Sequence, residues 1–259
     1  MIPTISLESF QLGPLTIQAW GLFVALGILA AVVWTVKRGR QRGLAPGLIL
    51  DAAFWVVIAG LLGARLFFLI ESPEALRDGF WASFRIQDGG MAATGGIIGG
   101  AIGAILFMRR HRLSLASLAD AAAPPILLGE AIGRIGCFLI HDHPGRPTTS
   151  LWAVNIDGVP RHDLGLELSV AALAGSILLA LYERRQTQNP QGTIAVGALL
   201  WYGATRFILD ALRATDLPVV DARYAGLTLA QIAGVCGVIL AVVLWGRLRR
   251  TTAISPKRP

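Results

Sequence analysis

Glu130, Arg134, Cys137 and His141 recur at i, i+4, i+7 and i+11, and Tyr202, Arg206, Asp210 and Arg213 at i, i+4, i+8 and i+11. On a continuous helix each set occupies one face. Both sets interrupt apolar runs, where an ionisable group is costly unless it is paired or hydrated. Arginine is the informative type. Its fork grips phosphate or carboxylate bidentately and stays charged in apolar surroundings. Two such stripes at one depth point to a hydrated pocket whose ligand carries a phosphate. The plainer reading is ion pairing that ties helices together without chemistry.

The segment GRIGCFLIHDHPGRPT, 133–148, is the densest in reactive types. Gly133 and Gly136 flank Arg134, and Pro144, Gly145 and Pro147 break the helix. His141, Asp142 and His143 stand between. In an extended strand His141 and His143 point the same way. With His162 and Asp163 across the loop they suit either a metal ion or proton transfer near neutral pH. Polar loop residues without chemical duty are the third reading. Cys137, one turn before His141, is either an activated thiol or a small apolar filler. Further charges in apolar runs are Asp51, Arg65, Asp120 and Glu167.

The elements that carry these residues follow from composition. Of 259 residues, 54% are hydrophobic and 15% charged, with mean hydropathy +0.61. A water-exposed surface usually needs about 25% charged residues, so much of this surface faces something else. Disorder and a zinc ribbon are excluded. Cys137 and Cys236 are the two cysteines, too far apart for CxxC chemistry and too few for a disulfide scaffold.

Runs of about 20 apolar residues, the length that spans a bilayer, fall at 17–36, 47–70, 90–108, 116–140, 164–182, 193–212 and 227–246. The first has neither the basic stretch nor the cleavage site of a signal peptide. The expected fold is an all-α integral membrane protein of seven transmembrane helices, one domain over 1–259. If the spans alternate, fourteen Lys and Arg fall on one side and six on the other. The positive-inside rule then puts the N-terminus outside and the C-terminus in the cytoplasm. The net charge of +7 is met by anionic lipid headgroups and needs no nucleic acid.

The loops assigned outside are 71–89, 141–163 and 213–226. The segment 74–85 reads as an ordinary loop or as a short helix lying on the membrane. Span three, GGMAATGGIIGGAIGAILFM, spaces glycine pairs four apart, which favours close helix packing. The other reading has bare backbone near Gly89 and Gly90 lining a polar cavity.

At this point the chain resembles the prolipoprotein diacylglyceryl transferase family. The resemblance is carried in order by LGPLTIQAWGLFVALG (12–27), GARLFFLI (63–70), QDGGMAATGG (87–96), GRIGCFLIHDHPGRPT (133–148), RHDLGLE (161–167), YGATRFILDALR (202–213) and GLTLAQ (226–231). The positions that match the family's pattern include Arg65, Gly95, Gly96, Arg134, Gly136, Gly145, Arg146, Glu167 and Arg206. The departures are Trp20 for Tyr, Thr94 for His, Cys137 and Ile140 for Asn, and Asp142 and Asp210 for Glu.

The resemblance implies a bacterial inner-membrane enzyme. It moves a diacylglyceryl group from phosphatidylglycerol to the cysteine thiol of a prolipoprotein signal-peptide lipobox, and glycerol phosphate leaves. It implies Arg134 and Arg206 as phosphate ligands. Arg65, Gly95, Gly96, Cys137, Gly145, Arg146 and Glu167 join them around the lipid. His141, Asp142, His143, His162 and Asp210 are the acid–base candidates. No metal or organic cofactor is called for. Two other functions stay open: transfer of a different lipid-derived group, and lipid or peptide binding without catalysis.

Overall fold

The computed structural model describes residues 2, 6–76, 90–156, 158–186, 189–218 and 220–254. Seven α-helices in it follow the apolar runs: α1 (Ala19–Gln41), α2 (Pro46–Glu71), α3 (Ala93–Arg110), α4 (Leu115–Ile140), α5 (Leu164–Arg185), α6 (Thr193–Asp210) and α7 (Leu229–Ile254). α1 and α7 run past the expected boundaries through their basic residues. In α1, Arg38 and Arg40 lie in the last turn, where cations oppose the helix dipole. Five helices, α1, α2, α4, α5 and α7, are long and apolar enough to cross a bilayer. Many of their apolar side chains are left uncovered by protein, such as Val33 at 62%, Ile70 at 71% and Val242 at 60% exposure. Rows of that kind suit hydrocarbon and not water.

The chain divides into two compact units, 36–118 and 1–35 with 119–259. In the first, α2 and α3 pack through glycine. A Cβ added to Gly95 would lie 2.3 Å from the Gly63 carbonyl oxygen, and one on Gly99 would lie 2.3 Å from that of Ala59. Close packing is therefore what span three is built for. Near the C-terminal end of α2, Arg65 is buried and donates from Nη1 to the Gly90 carbonyl at 2.7 Å. Asp51 is exposed. A short 3-10 turn covers Pro73–Leu76. The rest of the segment 74–85 and Gly89 lie outside the described residues.

In the second unit α1 meets α4 at Gly27 and Gly129, each approaching the other's carbonyl. Pro124 and Pro125 interrupt the hydrogen-bond ladder of α4. Serines of α5 stitch the same helix. Ser176 donates to the Pro124 carbonyl at 2.8 Å, and Ser169 to that of Ala131 at 2.7 Å. Asp120 on α4 is not an isolated charge. Its carboxylate accepts the backbone N–H groups of Gly192 (2.7 Å) and Ala195 (2.8 Å), the free donors at the start of α6. Asp120→Ala should therefore lower stability by roughly 2 kcal/mol, read as a lower midpoint in a thermal melt in detergent.

The loops 141–163 and 213–226 are not irregular. β3 (Pro144–Pro147), β4 (Val154–Ile156) and β5 (Val159–Asp163) form an antiparallel sheet in the order β3-β5-β4. A Cβ on Gly145 would sit 2.6 Å from the Cβ of His162, so glycine is what lets β3 and β5 close. The second loop docks on β3. Arg146 N–H donates to the Leu212 carbonyl at 2.8 Å, and Ala214 N–H to that of Pro144 at 3.2 Å. Buried Arg161 adds a bidentate pair to Asp216 at 2.9 and 2.7 Å. Two hairpins complete the structure, β1 (Ser9–Leu12) with β2 (Leu15–Gln18) and β6 (Arg223–Tyr224) with β7 (Leu227–Thr228). Ala225 and Gly226, both at positive φ, make the two-residue turn of the second. The helices of the all-α expectation are present, and the small sheets, which that expectation lacked, join them at and between their ends.

Candidate active site

α4 and α6 bring the two stripes together. Arg134 on α4 lies 3.5 Å from Glu130, one turn earlier. Arg206 on α6 lies 3.8 Å from Asp210, one turn later. The guanidinium charges of Arg134 and Arg206 act on each other, and both act on the Tyr202 hydroxyl. Like charges so placed repel, and the nearest carboxylates, Glu130 and Asp210, are held only loosely. Arg206 is buried, and among the described residues its Nη1 has no hydrogen-bond partner. A buried donor left without a partner marks a place for an acceptor that arrives from elsewhere.

Asp210 is fully buried. It accepts from Arg213 Nε at 2.8 Å and from the Thr228 hydroxyl. α6 ends at Asp210, so Arg213 does not continue the helical stripe as the i+11 spacing suggested. It reaches back through the following turn and also pairs with Asp221.

α4 likewise ends at Ile140, before His141. His141 takes a left-handed φ of 49°, so the Glu130 stripe stops at Cys137. His141 Nδ1 meets the Asp163 carboxylate at 2.7 Å, and the Cys137–His141 pairing expected on one helix face is replaced by this contact. The extended arrangement that would aim His141 and His143 alike is absent for the same reason. Cys137 is buried and accepts from the Arg134 guanidinium and the Trp20 indole. Two departures from the family pattern, Trp20 and Cys137, thus touch each other.

His143 donates from Nδ1 to the Asp142 carbonyl at 2.8 Å. Burial, helped by the charges of Arg213, Arg134 and Arg206, pushes its pKa down to about 4. Asp142, exposed on one side and desolvated on the other, is pushed up by that partial desolvation, against the pull of Arg134. Cys137, Asp142 and His143 offer ligand atoms within 4.8 Å of one another. The three arginines that face His143 make that cluster a poor cation site and a good anion site.

Linkage fixes the sign of a pH effect. The unfolded chain takes a proton at His143 below pH 6.5, and the folded chain refuses it until about pH 4. Stability should therefore fall as pH drops through that window. Thermal melts across it should show a declining midpoint, and His143→Gln should flatten the decline.

His162 Nδ1 lies 2.5 Å from Glu167 Oε1, while Glu167 Oε2 is buried without a partner. Gly145 serves the β3–β5 contact, and Arg146 is exposed. Arg65, Gly95 and Gly96 belong to the 36–118 unit, where Arg65 holds Gly90 and Gly95 packs on α2. Arg161 and Asp216 were not among the sequence candidates, and Asp163 entered only beside His162 in the metal or proton-transfer cluster. For Asp163 a signal existed, since an Asp immediately before an apolar run is an N-cap. It does cap α5, accepting from Leu166 N–H at 3.0 Å. Its second oxygen, on His141, has no sequence signature.

A family model described as Prolipoprotein diacylglyceryl transferase matches residues 8–247. Similar proteins bear the name phosphatidylglycerol–prolipoprotein diacylglyceryl transferase. One from Frankia alni is 43% identical over 168 residues, 64% of this chain and 45% of that protein. One from Halalkalibacterium halodurans is 29% identical over 270 residues, all of this chain and 91% of that protein. One from Gloeobacter violaceus is 32% identical over 254 residues, 93% of this chain and 92% of that protein.

Proposed function

The chain belongs to the prolipoprotein diacylglyceryl transferase family, and from that premise we propose that it transfers a diacylglyceryl group from phosphatidylglycerol to a lipobox cysteine thiol at the outer face of a bacterial inner membrane. It works there as one transmembrane domain of seven spans, N-terminus outside and C-terminus in the cytoplasm. The loop asymmetry of Lys and Arg supports that orientation.

One observation carries the reading. Buried Arg206 on α6 and half-buried Arg134 on α4 act on each other's charge, and Arg206 Nη1 has no hydrogen-bond partner among the described residues. Such a pair is stable only around an anion, and the donor lipid brings a phosphodiester. In the reaction the lipobox thiolate attacks the glycerol carbon. The S–C bond forms as the C–O bond breaks, and the electron pair leaves with the phosphate-bearing glycerol. Arg134 and Arg206 hold the phosphate and stabilise the charge that grows on it. Asp210, itself held by Arg213 and Thr228, is the carboxylate beside Arg206. Asp142 and His143 lie within electrostatic reach of the same arginines. His162 and Glu167 form a neighbouring polar pair on β5 and α5. Cys137, Gly145 and Arg146 complete the proposed lipid-binding set of this unit, and Arg65, Gly95 and Gly96 belong to the 36–118 unit. The substrate supplies the nucleophile, so Cys137 needs no covalent role.

The test is incubation of the purified protein with phosphatidylglycerol vesicles and a lipobox peptide, read by mass spectrometry. The expected product is the peptide plus one diacylglyceryl group. No product beside an active family control would assign the chain to the second reading, a lipid-binding relative without transfer. Thr94, which brings no titrating group where the family pattern has histidine, is the feature that favours it.

A further inference from the structure

The thiol proton needs an acceptor, and the outward segments offer three histidines. His143 has its Nδ1 on a backbone carbonyl and three arginines around it, surroundings that weaken it as a base. His162 is tied to Glu167, whose other oxygen still lacks a partner. His141 is held differently. Its Nδ1 contacts a carboxylate that is 1% exposed and already pinned by Leu166 N–H. That carboxylate fixes the ring and keeps the proton on Nδ1. The other nitrogen, Nε2, is buried and has no hydrogen-bond partner among the described residues, on a side chain only 10% exposed. The edge of Phe138 closes one side, with ring centroids 5.4 Å apart.

A non-glycine residue in the left-handed region is held there against its own preference. Here that conformation turns the imidazole out of the α4 face and onto Asp163. Asp142, the next residue, interacts with both Asp163 and Arg134, so the chain at this point connects the His141–Asp163 pair with the arginine cluster.

We propose that His141 is the proton acceptor of the transfer and that Asp163 is its positioning residue. This rests on the transferase reading above. The lipobox S–H proton passes to Nε2 as sulfur bonds to the glycerol carbon. Asp163 stabilises the imidazolium that results, and the glycerol phosphate leaves with the C–O electron pair. The proton is then released to water, and no oxidant or metal takes part.

The experiment uses the full chain with phosphatidylglycerol vesicles and lipobox peptide. His141→Ala should lose about 100-fold or more in kcat with little change in KM, and added imidazole should restore part of it. Asp163→Asn tests orientation without removing the α5 cap, because the amide oxygen still accepts from Leu166. Its NH2 would face Nδ1 and drive the ring proton to Nε2, with a similar loss in kcat. Nitrogen-15 histidine spectra read the tautomer without turnover. They should show Nδ1–H in the wild type and Nε2–H in Asp163→Asn. His141→Ala turning over within a few-fold of wild type would overturn the proposal. So would a loss that imidazole leaves untouched while Asp163→Asn stays active, or an Nε2–H wild type. Wild-type protein that makes no product beside an active control marks a different failure. It removes the transferase reading, and the proton-acceptor role with it, whatever the tautomer.

Discussion

Arg134→Ala and Arg206→Ala should each reduce diacylglyceryl transfer by about 10²–10³-fold, the range for losing a preorganised donor to developing charge. The reason lies in what each guanidinium lacks. Arg134 has Glu130 at 3.5 Å and Arg206 has Asp210 at 3.8 Å, both longer than a charge-assisted hydrogen bond. Arg206 Nη1 has no hydrogen-bond partner among the described residues. A structural ion-pair network would have closed these gaps, whereas an anion site has to leave them open. Lysine at either position keeps the charge and loses the fork, so it should recover only part of the rate. The measurement is initial rate against phosphatidylglycerol concentration for each variant. Full activity in both alanine variants would remove the phosphate assignment.

Asp210→Ala should cost about 3–5 kcal/mol, the range for breaking a buried pair by deleting one partner. The carboxylate is fully buried and serves Arg213, the Thr228 hydroxyl and Arg206 at once. Its removal leaves two guanidiniums near each other and near Arg134 with less counter-charge. The expected readout is a large fall in the melting midpoint in detergent. Thr228→Val should cost much less, because the carboxylate keeps Arg213. Equal melting of wild type and Asp210→Ala would mean that water already balances the arginines.

The helices were legible because a bilayer imposes one length. The expected run 47–70 became Pro46–Glu71, and 116–140 became Leu115–Ile140. The Glu130–Arg134 and Arg206–Asp210 neighbours were legible too, because i+4 spacing is a property of the helix itself. The two ends of the stripes were not. His141 and Arg213 both fall just past a helix terminus, where spacing along the chain stops predicting direction. Their partners, Asp163 and Asp210, depend on how the chain turns. The β3-β5-β4 sheet was hidden for a similar reason. Its strands are three to five residues long and rich in Pro, Gly and polar residues, so no alternation announces them.

By itself the amino-acid order determined that this is a helical membrane protein, which family it resembles, and which arginines face the same depth. Those properties follow from run length, charge asymmetry and helical period, all of them local. Tertiary structure alone decided which acid serves which base. Asp120 caps a helix 72 residues on, Arg161 clamps Asp216 55 residues away, and Asp163 orients His141 across 22 residues of intervening chain. A buried charge takes whichever partner the fold brings within about 3 Å, and residue spacing carries no record of that distance.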